Sequence, residues 1–410
     1  MYKQRSVSER LRKLTGSFPV VVLSGARQVG KSTLLKNLFP DMPSVIFDPS
    51  TDVGNARREP ELFLDNHPPP VILDEIQYAP ELVSAIKRRI DGNKKPGQYI
   101  LTGSQQWSVM KNLSESLAGR AVFLDLNGFS MREIAIVKNG PNWLERWLSS
   151  PKNFIAAPPS RIKQPRTLYE QIWRGWLPEA DSLSLELIPD FHNSYLRTYI
   201  ERDVRLFSDV NDLQQFGRFI RLAAALTSQE VNCSHLGRDI GVTPQTAQRW
   251  LAILSSTFQW FQIPSFSGNT TKRISGKEKG YLSDTGLACM LQMLSSPQSL
   301  SGHPLTGALF ETAVLSEIRK LSVTMPIPPY IYHWRSHGGA EVDLILERDG
   351  IFFPIEVKLT GNPRRDDAKG ILAFRKTYPK LKISPGLVIS PTHEFSKITE
   401  NDYSLPWDTL

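Results

Sequence analysis

The stretch Gly25-Ala26-Arg27-Gln28-Val29-Gly30-Lys31-Ser32 fits the phosphate-binding pattern G-x-x-x-x-G-K-[ST]. An apolar run at 19–23 precedes it and a helix-forming stretch at 33–39 follows it, which is the context that the pattern requires. Backbone amides of such a loop wrap phosphates, Lys31 reaches the β and γ phosphates, and Ser32 ligates Mg²⁺. The residues predicted to bind ATP are Gly25, Ala26, Arg27, Gln28, Val29, Gly30, Lys31, Ser32 and Thr33.

A second apolar stretch, Val71-Ile72-Leu73-Asp74-Glu75, ends in two carboxylates. After a phosphate-binding loop, Asp74 is expected to hold Mg²⁺, usually through water, and Glu75 to polarise the attacking water. Adjacent acids at a strand end also occur as solvated surface, but a buried strand that delivers both favours catalysis. The pair therefore predicts hydrolysis of ATP, with ATP and Mg²⁺ as cofactors.

Three further side chains are candidates for the same site. The run 99–104 ends a predicted strand in hydroxyl groups, so Thr102 or Ser104 could sense the γ-phosphate, although a strand end with a polar turn would look alike. Arg120 lies at a predicted helix end, from which it could enter a neighbouring subunit's site as an arginine finger. An exposed arginine in a salt bridge is the alternative.

Apolar runs at 19–23, 44–47, 71–73, 99–101 and 122–124 alternate with helix-like stretches in the first third of the chain. This alternation predicts an α/β fold, in which helices cover a mostly parallel sheet. Irregular stretches at 142–165, rich in Trp and Pro, and at 295–304, rich in Ser, Pro and Gly, indicate boundaries. Stretches 195–207 and 213–226 between them have the spacing of amphipathic helices.

Residues 223–287 have the pattern of a winged helix. A short helix at 234–240 and a turn precede Thr243-Pro244, which are an N-cap and a first-turn proline for a recognition helix at 245–254. Strands at 258–266 and 280–283 would flank a basic wing suited to phosphates. The alternative is a winged helix used only for packing or subunit contacts. The candidate DNA-binding residues are Gln245, Gln248 and Arg249 of the helix and Lys272, Arg273, Lys277 and Lys279 of the wing.

The C-terminal part contains the spacing D…(D/E)-x-K, carried by Asp343, Glu356 and Lys358. Strands at 342–346 and 352–357 are joined through Asp349-Gly350, a hairpin signal, so the three polar side chains should converge. The carboxylates Asp343 and Glu356 could bind a second Mg²⁺ or Mn²⁺, which Glu311 on the preceding helix would complete. Lys358 could then activate water against a phosphodiester, or the site could be silent.

The order and spacing of these motifs resemble a large prokaryotic family of AAA+ ATPases. The resemblance rests on Gly25 to Ser32, Leu73-Asp74-Glu75-Ile76-Gln77, Leu101-Thr102-Gly103-Ser104, Leu117-Ala118-Gly119-Arg120, Arg174-Gly175-Trp176-Leu177-Pro178-Glu179, Tyr195 to Asp203, Tyr281-Leu282-Ser283-Asp284-Thr285-Gly286-Leu287 and Glu356-Val357-Lys358. Where Trp176 stands, the family usually has a second glycine. The resemblance implies an AAA+ P-loop ATPase core at 1–140, a linker and helical region at 141–225, a winged helix at 226–294 and a restriction-nuclease-like α/β domain of the PD-(D/E)xK type at 300–410.

The composition leaves two classes of function open. A net charge of +8 permits an anionic partner, no apolar window is long enough to cross a bilayer, and the N-terminus has no apolar signal core, so a cytoplasmic location and no membrane contact are expected. The first hypothesis is a homo-oligomer, with a hexameric ring as the expected form, that couples ATP hydrolysis to remodelling or translocation of DNA without sequence specificity. Metal-dependent nuclease activity could accompany it. The second is a nucleotide-switched regulatory or interaction protein with a silent nuclease-like domain.

Overall fold

The computed structural model describes residues 2–48, 53–106, 117–137, 140–199, 203–204, 210, 212–269, 273 and 276–409. The chain divides into two compact units. The first comprises residues 2–128 and 253–259, and the second comprises residues 129–252 and 260–410.

The first unit is built on a parallel five-stranded sheet. Its strands are β1 Val20–Ser24, β2 Ser44–Ile46, β3 Val71–Asp74, β4 Tyr99–Gly103 and β5 Ala121–Asp125, in the spatial order β2-β3-β4-β1-β5. Its helices are α1 Ser8–Thr15, α2 Lys31–Leu38, α3 Gly54–Arg58, α4 Pro60–Asn66 and α5 Leu82–Gly92, with a 3₁₀ turn at Ile76–Tyr78. All five predicted strands and their parallel arrangement are confirmed.

Burial explains why this sheet forms. Every residue of β1, β3 and β4 is buried, as expected for strands that are covered on both faces in a parallel sheet. Because the strands are parallel, their carboxyl ends lie at one edge. Ser24, Asp74 and Gly103 end three neighbouring strands at that edge, next to the loop at 25–30.

Helices make up much of the second unit. They are α6 Met131–Ile134, α7 Trp143–Ser149, α8 Pro151–Ala156, α9 Leu168–Arg174, α10 Pro178–Ser182, α11 Ile188–Thr198, α12 Leu213–Ala225, α13 Cys233–Ile240, α14 Pro244–Ser256, α15 Thr285–Leu291, α16 Thr306–Val323 and α17 Lys369–Thr377. Short 3₁₀ turns lie at Leu185–Leu187, Pro297–Leu300, Arg365–Ala368 and Trp407–Thr409. The last residues of α14, from 253, group with the first unit. The predicted helix 195–207 falls partly outside the described residues.

Two sheets complete the second unit. Strands β6 Gln229–Glu230, β7 Trp260–Ile263 and β8 Lys279–Leu282 form an antiparallel sheet in the order β6-β8-β7. Strands β9 Tyr330–Arg335, β10 Glu341–Arg348, β11 Ile351–Val357, β12 Lys382–Ile383, β13 Gly386–Ser390, β14 Ser396–Lys397 and β15 Asp402–Pro406 form a mixed sheet in the order β14-β15-β13-β11-β10-β9, with β12 paired to β11. Asp349 and Gly350 join β10 to β11 with φ angles of +54° and +72°, which confirms the predicted turn.

The helix pair and hairpin predicted for the winged helix occur in the predicted order, as α13, α14, β7 and β8. The Thr243 hydroxyl accepts from the Thr246 amide at 3.1 Å, so Thr243 caps α14 as expected. Trp250 on the inner face of α14 contacts the rings of Phe216 and Phe219 edge-on, with ring centroids 5.4 and 5.3 Å away. These contacts fix which face of α14 remains exposed.

The stretch 129–137, predicted to end the ATPase core, groups with the second unit. The Phe129 amide donates to the Trp176 carbonyl at 2.7 Å, and Lys320 donates to the Phe129 carbonyl at 2.9 Å. The buried Glu317 carboxylate accepts from the Met131 amide at 3.1 and 3.2 Å. These bonds hold the stretch to α9, α16 and their connections.

Two motifs of the sequence pack directly against each other in the second unit. The Asp284 carboxylate accepts from the Trp176 amide at 2.7 Å and from the Leu287 amide at 2.9 Å, so it joins the loop after α9 to the start of α15. Gly175 has φ +83° and ψ −164°, and a Cβ there would lie 2.3 Å from Asp284 Oδ1. Gly175 and Gly286 therefore make the close approach, while Trp176 fills the neighbouring space and donates from its ring to Thr285 at 3.1 Å.

Among the described residues, none of the helices is both long and apolar enough to cross a membrane.

Replacing Gly175 with alanine should lower the free energy of unfolding by about 3 kcal/mol or more. The substitution adds strain in a backbone region that is essentially confined to glycine and displaces a carboxylate that two backbone amides hold. Gly241→Ala is the control, because Gly241 also has a positive φ of +78° but a Cβ there meets no described heavy atom within 4 Å. We expect a loss of about 1 kcal/mol for the control. Equal losses in urea unfolding would contradict this explanation.

Candidate functional site

The loop at 25–30 adopts a conformation that requires glycine at position 25. Gly25 has φ +157°, and a Cβ there would lie 2.1 Å from the Leu126 carbonyl oxygen. Gly30 has φ +90° and Gln28 has φ +60°. The loop therefore turns sharply between β1 and α2, as a phosphate-binding loop must.

Helix α2 begins directly where this loop ends. The amides of Lys31, Ser32 and Thr33 belong to its first turn, where no intrahelical carbonyl can accept from them, and the helix dipole adds partial positive charge. The Lys31 ammonium donates to the Gly25 carbonyl at 2.9 Å and to the Ala26 carbonyl at 3.1 Å. Positive charge and amide donors thus converge on one loop, which suits the phosphates of a nucleotide.

Asp74, at the end of β3, lies directly against the start of α2. The Ser32 hydroxyl donates to Asp74 Oδ2 at 2.6 Å, and the fully buried Thr102 hydroxyl donates to Oδ1. A hydroxyl and a carboxylate are the oxygen ligands that Mg²⁺ takes beside phosphates in proteins. Ser32 and Asp74 therefore fit the magnesium role that the sequence predicts.

Glu75 is held by the neighbouring strand and by Gln77, a residue to which the sequence analysis assigned no role. Its amide donates to the Thr102 hydroxyl at 3.0 Å, and its carboxylate lies 3.8 Å from the Lys31 ammonium. The Gln77 side-chain amide donates both to Glu75 Oε2 at 2.5 Å and to the Ser104 hydroxyl at 3.1 Å. Gln77 thus links the predicted catalytic carboxylate to β4. The sequence signal for it was its place two residues after Glu75, within the stretch Leu73-Asp74-Glu75-Ile76-Gln77 that carries the family resemblance.

A cavity of about 330 Å³ opens beside this site in the first unit. Ser32 and Asp74 lie at its wall together with apolar side chains that include Leu35 of α2, Phe39 directly after α2 and Ile72 of β3.

The two arginines predicted for the nucleotide site engage other partners. Arg27 donates to the Tyr78 hydroxyl at 3.0 Å. Arg120 binds both carboxylate oxygens of Asp91, at 2.6 and 2.9 Å. A role for Arg120 as a finger in a neighbouring subunit would require it to leave Asp91, so this role stays a prediction.

The helix α14 presents the predicted recognition face. Gln245, Gln248 and Arg249 are all exposed, whereas Ala247 and Trp250 point inward. This placement agrees with the exposure that the helical spacing predicts.

The predicted wing residues differ in their exposure and in their contacts, although the sequence suggested one basic surface. The Arg273 guanidinium lies 4.3 Å from the Phe266 ring centroid and 3.3 Å from Glu347 Oε2, whereas Lys277 is exposed, with its ammonium 3.8 Å from Glu230. Lys272 lies outside the described residues. The prediction that Lys279 is a DNA-binding residue of the wing is wrong. Lys279 begins the buried strand β8 and is only 9% exposed.

The structure brings Asp343, Glu356 and Lys358 together as predicted from the hairpin. The Lys358 ammonium lies 2.7 Å from Glu356 Oε2 and 3.3 Å from Asp343 Oδ2, which also accepts from the Val357 amide at 2.8 Å. Burial, and then the neighbouring Asp343, raise the pKa of Glu356 well above its usual value. Burial alone would raise the pKa of Asp343, but the Lys358 and Lys279 ammonium groups outweigh it and lower this pKa.

Glu311 does not complete a carboxylate metal site as predicted. Its Oε1 accepts from the Lys279 ammonium and from the Tyr281 hydroxyl, each at 2.7 Å. Lys279 also lies 3.8 Å from Asp343 Oδ1 and so stands between the two acids. Within the described part of the chain, no group of three or more His, Cys, Asp or Glu side chains could hold a metal ion. The ammonium groups of Lys279 and Lys358 therefore lie among the carboxylates of Glu311, Asp343 and Glu356.

Three family profiles match successive parts of the chain. Residues 17–135 match an AAA domain, residues 165–298 match a domain of unknown function (DUF8612), and residues 306–410 match a domain of unknown function (DUF4143). Residues 17–135, with the loop and carboxylates described above, are therefore an AAA-type P-loop domain.

Similar proteins occur in mycobacteria. The uncharacterized protein Rv2008c of Mycobacterium tuberculosis and the uncharacterized protein Mb2031c of Mycobacterium bovis are each 27% identical over 365 residues, which cover 88% of this chain and 75% of the relative. Among solved structures, the Walker-type ATPase PABY2304 of Pyrococcus abyssi is 14% identical, with a TM-score of 0.40, covering 71% of this chain and 96% of its own. A RuvB variant of Thermotoga maritima is 16% identical, with a TM-score of 0.28, covering 63% and 89%.

Replacing Thr102 with valine should destabilise the first unit by about 1–3 kcal/mol. Valine has a similar shape but leaves the Asp74 carboxylate and the Glu75 amide without their shared hydroxyl partner. Thr102→Ser keeps that hydroxyl and should retain more of the stability. Urea unfolding of both variants measures the difference, and a serine variant less stable than the valine variant would show that packing, not hydrogen bonding, dominates.

Proposed function

We propose that this protein is an ATPase whose AAA-type domain hydrolyses ATP with Mg²⁺. The observation that carries the proposal is the convergence at one sheet edge of Lys31, the Ser32–Asp74 pair and Glu75. These are the groups that phosphoryl transfer to water requires: a cation for the phosphates, oxygen ligands for the metal and a base for the water.

Each side chain has a distinct task in this proposal. The loop amides and Lys31 bind the phosphates, and Ser32 with Asp74 would hold Mg²⁺, which neutralises charge on the transferred phosphoryl group. Glu75 orients and polarises the attacking water, while Gln77 and Thr102 fix the position of Glu75 through the bonds at 2.5 and 3.0 Å. Thr102 and Ser104, at the end of β4, are the proposed sensors of the γ-phosphate.

Lys31→Ala should abolish tight ATP binding, and Glu75→Gln should preserve binding while lowering the hydrolysis rate about 100-fold or more. The two variants separate phosphate binding from activation of water. Lys13→Ala, an exposed lysine on α1, is the charge-matched control and should behave as the wild type. Fluorescent-nucleotide binding and phosphate release measure the two steps. Undiminished turnover in Glu75→Gln would contradict the assigned role.

We further propose that ATP turnover is coupled to binding and remodelling or translocation of DNA. Two observations support this proposal: Gln245, Gln248 and Arg249 form an exposed face of α14, and the whole chain has a net charge of +8. Lys277 is a further exposed basic residue of the second unit. The contacts of Arg273 with Glu347 and Phe266 make it a weaker candidate than the sequence suggested.

Alanine at Gln245, Gln248 and Arg249 together should lower the affinity for duplex DNA at least tenfold and remove any stimulation of ATPase activity by DNA. Arg365→Ala, which removes one exposed positive charge elsewhere in the second unit, should change the affinity much less. Fluorescence anisotropy at two salt concentrations with single-stranded, duplex and branched DNA is the measurement. A wild type that binds none of these forms, and whose ATPase none stimulates, would refute the coupling to DNA.

A second candidate function is a nucleotide-switched regulatory or interaction protein. It is favoured by Lys279, whose ammonium lies between Glu311 and Asp343, because this arrangement argues for a silent C-terminal site. ATPase activity without any DNA binding, in the measurement above, would support this candidate.

Assembly into a homo-oligomer, with a ring as the expected form, belongs to the first proposal. Arg120 would supply the contact between subunits: its guanidinium would release Asp91 and bind the nucleotide of the neighbouring subunit. Light scattering of the purified protein with and without ATP gives the mass that decides between a ring and a monomer.

A further inference from the structure

The carboxylate cluster of the second unit lies where the small sheet β6-β8-β7 meets helix α16 and strands β10 and β11. Lys279, the first residue of β8, extends from the small sheet into this cluster. Its ammonium lies 2.7 Å from Glu311 Oε1 on α16 and 3.8 Å from Asp343 Oδ1 on β10. The Lys279 ammonium of strand β8 thus contacts both Glu311 and Asp343, the two acids that would have to share a metal ion.

The Glu311 carboxylate already accepts from side chains of the small sheet and from Ser228, which precedes strand β6. The Tyr281 hydroxyl donates to the same oxygen as Lys279, at 2.7 Å, and the Ser228 side chain hydrogen-bonds to the carboxylate as well. Glu311 is only 8% exposed. A metal ion that bound Glu311 Oε1 would therefore compete with the Lys279 ammonium and the Tyr281 hydroxyl for that oxygen.

Glu356 is closed from another side by helix α17. A Cβ added at Gly370 would lie 2.1 Å from Glu356 Oε1 and 1.7 Å from the Glu341 carbonyl oxygen, so the backbone of α17 packs directly on this carboxyl group. The other oxygen, Oε2, is 2.7 Å from the Lys358 ammonium. Glu356 therefore has little room for a hydrated divalent ion, which keeps several water ligands when it is Mg²⁺.

We propose that Lys279 is the internal counter-ion of this cluster: it takes the place of a divalent cation between Glu311 and Asp343, and so excludes Mg²⁺ and Mn²⁺. The same ion pairs hold strand β8 to α16 and β10. The inference goes beyond the proposed ATPase function and does not depend on it. Metal and Lys279 compete for the same oxygens, so the cluster becomes a metal site only when Lys279 is removed or β8 withdraws.

Lys279→Met tests the proposal, because methionine is similar in length but carries no charge. Binding of Mn²⁺ to the full-length protein is measured by the loss of the free Mn²⁺ signal in electron paramagnetic resonance, without nucleotide. Asp343→Asn is added to wild type and variant, which separates binding at the cluster from binding near Asp74. We expect Lys279→Met to bind one Mn²⁺ that Asp343→Asn removes, at least tenfold more tightly than wild type binds any such ion.

Two matched variants separate charge from volume and position. Lys279→Arg keeps the positive charge and should gain no Mn²⁺ site, and Lys277→Met removes an exposed lysine two residues away and should also gain none. If Lys279→Met does not fold, Lys279→Gln, which can still donate to Glu311, replaces it. Two outcomes overturn the proposal: Mn²⁺ binding in wild type that Asp343→Asn abolishes, or a folded neutral variant that gains no site. The wild-type comparison decides even if both neutral variants fail to fold.

Discussion

The carboxylate of Asp74 is the contact on which the first unit's site depends. One oxygen accepts from Ser32 at the start of α2 and the other from Thr102 on β4, so a single buried side chain ties three chain segments together. Thr102 then fixes the Glu75 amide, and Gln77 carries the connection to Ser104. Because buried polar groups cost free energy when unpaired, this chain of bonds fixes the relative positions of loop, carboxylates and hydroxyls. The parallel order β2-β3-β4-β1-β5 makes the arrangement possible, since it brings the ends of β1, β3 and β4 to one edge.

Sequence patterns predicted what depends on neighbouring residues in the chain. The five strands, the capped start of α14 at Thr243 and the Asp349-Gly350 turn all follow from local spacing and backbone preference. The nucleotide site was predictable for a related reason, because its motif fixes loop, helix and strand ends together. Contacts that depend on tertiary packing were not predictable. Nothing within a few residues of Arg120 indicates Asp91, and nothing near Lys279 indicates Glu311, 32 positions later in the sequence.

Lys279 shows how such a contact changes an interpretation. Four basic residues within eight positions look like one surface, yet Lys279 is buried and Arg273 contacts Glu347 and Phe266. Their positions in the chain explain part of this, since Lys279 begins strand β8, whose four residues are all buried, whereas Lys277 precedes it. The basic surface of the second unit is therefore smaller than the sequence suggests, and the exposed face of α14 becomes correspondingly more important for the proposed contact with DNA.

Gly25 has a consequence for how sequences of this kind can diverge. The missing side chain makes room for the Leu126 carbonyl, so this position is restricted by the packing of the fold, independently of any phosphate. Lys31 has two constraints, because its buried side chain donates to the Gly25 and Ala26 carbonyls and, in the proposed function, also binds the phosphates. A lineage that stopped using nucleotides would still have to keep Gly25. Among relatives, retention of the glycine alone therefore reports an intact sheet edge and not continued use of nucleotides.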